Sequence, residues 1–285
     1  MDKNKLYSLT FSLIVLFSVL IGNARHGSHD EVVYSAPPET TSFTASVQNT
    51  IAPEAVITVP EAPPTISAVS AVAKYLNTRD AIFSFNPNQQ WPVASLTKLM
   101  TAIVALENIG SGESINVSEA AVATEGGAGN LAVGKSYSRD ELLRALLKVS
   151  SNDAGVAFAE HLGRENFIRL MNERAISIGM YNTRYFDTTG LSALNQSMAS
   201  DLEKLVIYIF NNHPDIFSIT REPEGNIHPF AKTPDFIGGK TGFIDEASGN
   251  LVSLFNYQGR PFLIIVLGSE DRAADTQALY NVYKE

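Results

Sequence analysis

The sequence predicts an α+β domain over residues 66–285, in which strands from the two ends of that region form one antiparallel sheet and helices fill the middle. Three observations predict it. Residues 66–75 and 81–85 are apolar runs parted by the turn residues Asn77-Thr78-Arg79-Asp80, a hairpin pattern. Residues 250–257 and 261–267 flank Gln258-Gly259-Arg260 in the same way. Between the two pairs the apolar residues recur at helical spacing, and strands at both ends with helices between imply that the terminal strands meet in one sheet.

Taken in order, residues 1–24 carry Lys3 and Lys5, an apolar stretch over 6–22, and the small residues Gly22-Asn23-Ala24 suited to signal cleavage. Ser8, Thr10, Ser12 and Ser18 interrupt that stretch, whose length lies between a cleaved signal and a short membrane anchor. Residues 25–65 are rich in Ser, Thr, Pro and acidic residues, show no periodicity and end in Pro60-Glu61-Ala62-Pro63-Pro64. Such a composition cannot bury a core and predicts a disordered tether. A tether implies that something holds its far end. The expectation is an extracytoplasmic protein, in the periplasm or at the cell surface, attached to the cytoplasmic membrane only through its N-terminal segment. Absence of cysteine fits an exported protein without disulfides, and a net charge of −9 argues against nucleic acid as a partner.

Pro92 precedes a periodic run of Leu96, Leu99, Met100, Ile103, Val104 and Leu106, which predicts a helix beginning near Ser95. Ser138-Arg139-Asp140-Glu141 is a capping box that starts another at about residue 139. Further helices are predicted over 153–162, 165–178, 199–211 and 273–283.

Three short boxes lie on this scaffold: Ser95-Leu96-Thr97-Lys98, Ser150-Ser151-Asn152 and Lys240-Thr241-Gly242. On a helix Ser95 and Lys98 share a face, so the amine can take the hydroxyl proton, provided the amine is neutral. An ordinary lysine titrates near pH ~10.4, so action at neutral pH needs a depression of about 3 units. Burial and a second cation such as Lys240 are the two available causes. A second S-x-N, Ser248-Gly249-Asn250, runs into an apolar stretch after the K-T-G and is read as a turn entering a strand. S-x-x-K, an S-x-N box and K-T-G in this order mark serine acyl transferases of the penicillin-binding and β-lactamase kind.

The resemblance extends beyond the boxes. Residues 142–154 with Ala157-Phe158-Ala159-Glu160 resemble the middle motif of D-alanyl-D-alanine carboxypeptidases, the low-molecular-mass penicillin-binding proteins of the β-lactamase-like superfamily. Gly179-Met180-Tyr181-Asn182-Thr183, Asp187, Gly190-Leu191 and Gly238-Gly239 resemble the segments that follow in that family. The resemblance implies the family's α+β fold, with Lys240 on an edge strand facing the nucleophile helix. It makes Ser95 the nucleophile, Lys98 its base, and Ser150 the group passing a proton between Lys98 and the leaving amine. Asn152 would bind the substrate amide; Lys240, Thr241 and Gly242 would line the opposite wall and hold the terminal carboxylate. The backbone N–H groups of Ser95 and Phe243 would form the oxyanion hole. Phe243 departs from the polar residue many relatives carry after K-T-G, and Arg272 is the candidate for their carboxylate-binding arginine. The implied substrate is a peptidoglycan stem peptide ending in D-Ala-D-Ala, with β-lactams as inhibitors and no metal or organic cofactor. Carboxypeptidase action is the main expectation; an endopeptidase cutting peptide crosslinks, or a class A-like β-lactamase, are the alternatives.

A β-lactamase of that class needs a glutamate in an E-x-x-L-N pattern, a spacing that Glu165 to Asn172 does not keep. Gly129 to Ser136 matches the phosphate-loop expression G-x-x-x-x-G-K-S, but small polar residues precede it and the helix cap falls beyond the lysine. It is read as a loop leading into helix 139. His26, His29 and Asp30 lie in the tether without a partner at ligand spacing, and His161, His213 and His228 form no zinc pattern, so all are read as surface or structural residues.

Overall fold

In the computed structural model, residues 63–126 and 128–283 are described. The N-terminal segment and the tether up to residue 62 lie outside them. The hairpin expected first is present: β1 (Ser70–Tyr75) pairs antiparallel with β2 (Phe83–Phe85), and Thr78 closes the turn by donating its hydroxyl to the Tyr75 carbonyl. β3 (Trp91–Pro92) leads into a 3-10 turn at Ala94–Leu96 and then α1 (Thr97–Asn108). Next come β4 (Ser114–Asn116), α2 (Glu119–Val122), β5 (Ser136–Ser138), α3 (Arg139–Lys148), α4 (Asn152–Leu162) and α5 (Arg164–Ser177). β6 (Gln196–Ser197), α6 (Ala199–Asn212) and α7 (Pro214–Arg221) precede the long strands β7 (Phe236–Ile244), β8 (Ser248–Tyr257) and β9 (Arg260–Ser269), and α8 (Arg272–Tyr283) follows.

The principal sheet runs β2-β1-β9-β8-β7, antiparallel throughout. Strands from the two ends therefore meet as expected, with β9 at the centre and β7 at an edge. Both faces are covered, which is why residues 262–267 form an unbroken apolar run rather than an alternating one. Val252, Leu254, Leu263, Ile265 and Leu267 point into the larger core under the helices. Their neighbours Leu251, Phe255, Phe262, Ile264 and Val266 point the other way, into a second core closed by Leu279, Tyr280 and Tyr283 of α8. The period of two along each strand sorts the side chains between the cores. α1 is buried from Thr97 to Ala105, and α3, α4 and α5 pack about it.

The predicted caps and boundaries largely hold. Ser138 and Glu141 form the reciprocal capping box of α3. The G-x-x-x-x-G-K-S stretch leads into β5, which pairs with β4, and the helix begins only at Arg139; a phosphate cradle requires a helix starting at the lysine. Ser248-Gly249-Asn250 opens β8, and the buried Asn250 side chain ties the Pro92 carbonyl to the Gly268 N–H. One expectation needs correction. The α-helix expected to begin near Ser95 starts at Thr97, so Ser95 sits in the tighter turn before it. Among the described residues no helix is long and apolar enough to cross a membrane.

Candidate active site

The turn holding Ser95 is gripped from two sides. Ala94 stands at φ 48, in the left-handed region that a residue with a Cβ adopts rarely. Gly190, at φ 85, presses on it so closely that a Cβ there would lie 1.9 Å from the Ala94 carbonyl oxygen. From the other side comes Gly242 on β7, where a Cβ would lie 2.9 Å from the Val93 carbonyl oxygen and 3.3 Å from Leu96 N. The glycine of K-T-G is thus required for close approach of the edge strand to the Ser95 turn.

One helical turn on, Lys98 is fully buried, and its Nζ lies 2.8 Å from Ser95 Oγ, 2.7 Å from Asn152 Oδ1 and 2.6 Å from the Thr189 carbonyl oxygen. Burial lowers its pKa to about 7, and the Asp187 carboxylate partly opposes the shift. Of the two causes anticipated from sequence, burial is therefore the leading one for Lys98. All three oxygens accept from Lys98 Nζ; once the amine is neutral it keeps two N–H groups for the two carbonyl oxygens and can turn its lone pair to the Ser95 hydroxyl.

Ser150 occupies the turn between α3 and α4 at φ 61. Its neighbour Ser151 is a structural cap, accepting from Ala154 N, which leaves Ser150 and Asn152 facing the cleft. Asn152 Nδ2 donates to the Glu125 carbonyl at 2.6 Å while its Oδ1 takes Lys98. The hydrogen bond that Ser150 Oγ makes is to Lys240, 2.8 Å away, rather than to Lys98.

Lys240 is buried on β7, the edge strand expected for it, and also donates to the Thr241 carbonyl. Burial, joined by the Lys98 and Arg272 cations, pushes its pKa well below the ordinary lysine value. Three basic side chains thus converge on a site that presents few anions, an arrangement suited to receiving an anion. Arg272, half-buried at the start of α8, donates Nη1 to the Gly242 carbonyl at 2.5 Å, so the fold delivers it to the K-T-G box. Phe243 presents its ring to solvent, 61% exposed.

The site also depends on residues that carried no catalytic reading in the sequence. Asp187 accepts from the N–H groups of Thr189 (2.7 Å), Gly190 (2.6 Å) and Ser192 (2.8 Å), folding the loop that aims the Thr189 carbonyl at Lys98 and seats Gly190 on Ala94. Asn195 secures that loop to α1 by donating to Thr97 Oγ1 and accepting from Phe186 N and Asp187 N. Asp-x-x-Gly turn chemistry was the available signal. His228 is a buried peg beneath β7, stacked on Phe236 with ring centroids 4.4 Å apart and bonded to the Val252 carbonyl. Burial lowers its pKa to about 3. His161 and His213 pair with Glu113 and Glu107, away from the cleft.

A serine beside a buried, near-neutral amine, an edge strand with a second lysine and an asparagine across the cleft define a serine acyl-transfer hydrolase. The profile of the D-alanyl-D-alanine carboxypeptidase family, peptidase family S11, matches residues 57–271. The chain is 32% identical over 223 residues to the D-alanyl-D-alanine endopeptidase of Pseudomonas aeruginosa, covering 71% of each chain. To the enzyme of the same name from Escherichia coli it is 33% identical over 224 residues, covering 72% of each. The crystal structure of the Streptomyces K15 DD-transpeptidase superimposes with a TM-score of 0.72 at 25% identity, covering 78% of this chain and 98% of that one. The chain belongs to the D-alanyl-D-alanine carboxypeptidase family of serine peptidases.

Proposed function

We propose that this chain removes the terminal D-alanine of peptidoglycan stem peptides through an acyl-enzyme on Ser95. The observation that carries the division of roles is Lys98 Nζ, buried and 2.8 Å from Ser95 Oγ with a pKa near 7. Ser95 Oγ attacks the carbonyl between the two D-alanines as its proton passes to Lys98. The oxyanion is held by the backbone N–H groups of Ser95 and Phe243, donors fixed before charge develops. The C–N bond then breaks, and Ser150 delivers the proton to the departing amine. Because Ser150 is bonded to Lys240, that delivery requires its hydroxyl to turn toward Lys98, a rotation about one side-chain bond. Lys240, Thr241 and Arg272 bind the terminal carboxylate, Asn152 binds the substrate amide, and water finally attacks the acyl group, its proton passing through Lys98 to Ser95 Oγ as the ester bond breaks. β-Lactams, with a strained amide and a carboxylate in similar positions, acylate the same serine.

Cleavage of peptide crosslinks is the second reading, favoured by the endopeptidase names of the two relatives above. The β-lactamase alternative has no such support. The carboxylate behind Ser95 and Lys98 is Asp187, committed to backbone N–H groups, while Glu165 is exposed on α5. Export and membrane attachment through residues 1–24 rest on the lysine-flanked apolar stretch.

The test is intact-mass analysis of the full chain over a time course with benzylpenicillin, with a Ser95→Ala control. A Ser95-dependent adduct lasting minutes supports the peptidase. Rapid drug hydrolysis without an adduct would return the β-lactamase reading, and no Ser95-dependent reaction would refute both.

A further inference from the structure

The turn that carries Ser95 has to be held from outside, because a residue with a side chain keeps the conformation of Ala94 only where its surroundings impose it. Val93 opens that turn and Thr97 closes it, and both are bonded to one residue, Asn195. Val93 N donates to the Asn195 carbonyl at 2.9 Å, and Asn195 Nδ2 donates to Thr97 Oγ1 at 3.0 Å. The first of these bonds prolongs the ribbon of β3 and β6, in which Trp91 faces Ser197 and Pro92 faces Gln196. The ribbon therefore runs straight into the Ser95 turn.

The same carboxamide also grips the segment that reaches Lys98. Its Nδ2 donates to the Asp187 carbonyl at 3.1 Å, while its Oδ1 accepts from Phe186 N at 2.7 Å and Asp187 N at 3.2 Å. Two residues beyond Asp187, the Thr189 carbonyl accepts from Lys98 Nζ at 2.6 Å and from Ser95 Oγ at 3.5 Å. Asn195 is fully buried, so water cannot replace a lost partner there. A carboxamide alone offers donors on one side and an acceptor on the other. A carboxylate of the same shape would turn an acceptor toward the Asp187 carbonyl and a charge toward the Asp187 carboxylate, 3.3 Å from Nδ2.

We propose that Asn195 is a positioning residue for acyl transfer, setting the placement of Ser95 relative to Lys98. The inference rests on the reading of Ser95 as nucleophile and Lys98 as its base. The hydroxyl belongs to the turn and the amine is aimed by the Thr189 carbonyl, so their 2.8 Å contact depends on the turn and the 186–192 loop keeping one relative position. Asn195 is bonded to both. Thr97 Oγ1 is the far end of this connection, which gives a residue between Ser95 and Lys98 a task of its own. Neither Asn195 nor Thr97 is assigned a contact with substrate. Loosening their bond should slow the chemical step and leave binding alone, because proton transfer and attack depend steeply on the separation of the reacting atoms.

The experiment follows acylation of the full-length protein by benzylpenicillin with rapid-quench intact mass, at drug concentrations up to saturation and at a temperature where every variant is folded. Thr97→Val removes one hydroxyl from the connection and keeps the side-chain shape, Thr97→Ser keeps the hydroxyl, and Asn195→Ala removes the whole carboxamide. Expected for Thr97→Val is a roughly tenfold fall in the saturating acylation rate, with the half-saturating drug concentration within about twofold of wild type. Thr97→Ser should recover to within about threefold of wild type, and Asn195→Ala should fall further than Thr97→Val. A purely structural role would lower the melting temperature of Thr97→Val and leave its acylation rate unaltered. That result, a Thr97→Ser no faster than Thr97→Val, or a defect confined to the half-saturating concentration would overturn the proposal while leaving the peptidase. Should Asn195→Ala fail to fold, the two Thr97 variants decide the matter by themselves. A wild type that is not acylated would instead overturn the roles of Ser95 and Lys98.

Discussion

Lys240 Nζ and Ser150 Oγ meet at 2.8 Å, and this contact joins the edge of the sheet to the turn between α3 and α4 across the reaction cleft. The lysine has two roles at once: it offers charge to an incoming carboxylate and fixes the hydroxyl assigned to proton delivery. Its lowered pKa means that an arriving anion strengthens its hold on its own proton.

Lys240→Ala should therefore raise KM and lower kcat together, with a combined loss in kcat/KM on the order of 10²-fold or more. Steady-state kinetics on the stem pentapeptide checks this; an effect confined to kcat would assign the lysine to proton delivery alone.

Ser95→Ala should form no benzylpenicillin adduct and turn over no substrate. Lys98→Ala should keep the nucleophile but slow acylation by roughly 10²- to 10⁴-fold, the range expected for loss of a general base. Time-resolved intact mass separates the two, and wild-type rates in either variant would remove that residue from the mechanism.

The pH dependence follows from Lys98. The reactive form is the neutral amine, so the acylation rate should rise with pH through about 7 and level off above it. Stability has the same sign. A lysine whose folded pKa lies below its unfolded value binds fewer protons when folded between the two, so stability rises with pH over that window. The burial penalty is fully present below pH 7 and fades as pH approaches the ordinary lysine value. Replacing Lys98 by Met removes that penalty. The melting temperature of Lys98→Met minus that of wild type should accordingly be more positive at pH 7 than at pH 10; a pH-independent difference would contradict the lowered pKa.

Gly190→Ala should cripple the site, because the new Cβ would fall 1.9 Å from the Ala94 carbonyl and 2.8 Å from Ser95 N, at a φ of 85 that resists any side chain. Gly112→Ala is the matched control, with nothing within 4 Å of the added Cβ. Thermal melts and the penicillin acylation rate are the readouts. Loss of acylation in the first variant and wild-type behaviour in the second are expected; full acylation in Gly190→Ala would show that the nucleophile turn does not depend on this packing.

What could be read from the sequence was whatever local chemistry declares. Ser138 and Glu141 announce a helix start because their side chains satisfy each other's backbone, and α3 begins where they say. The apolar runs of β8 and β9 are legible because both faces are buried. Ser95, Lys98, Ser150, Asn152 and Lys240 gather in one cleft because the spacing within each box reflects a helix, a turn or a strand. The Thr189 carbonyl was silent, since a backbone oxygen has no letter of its own. The need for glycine at 190 arises only when a distant turn arrives against it. α7 was not anticipated because its eight residues give little periodicity to read, and two-residue ribbons such as β3 with β6 carry none. Lys98 shows a subtler gap: the direction of its shift was legible, but the leading cause required knowing how deeply α1 is buried.

The strand order has a temporal consequence. β9 lies at the middle of the sheet, between β1 and β8, yet it is the last strand to be made. Every side chain assigned to bond making and breaking precedes residue 243, but the strand presenting Lys240 is anchored through β8 to a partner ending at Ser269. During synthesis the complete reactive set therefore exists as unorganised chain, and the site switches on only when the closing segment threads between its neighbours. Pairings between residues so far apart in sequence form late and slowly. A chain truncated just after β8 would hold Ser95, Lys98, Ser150 and Lys240 without the central strand between β8 and β1.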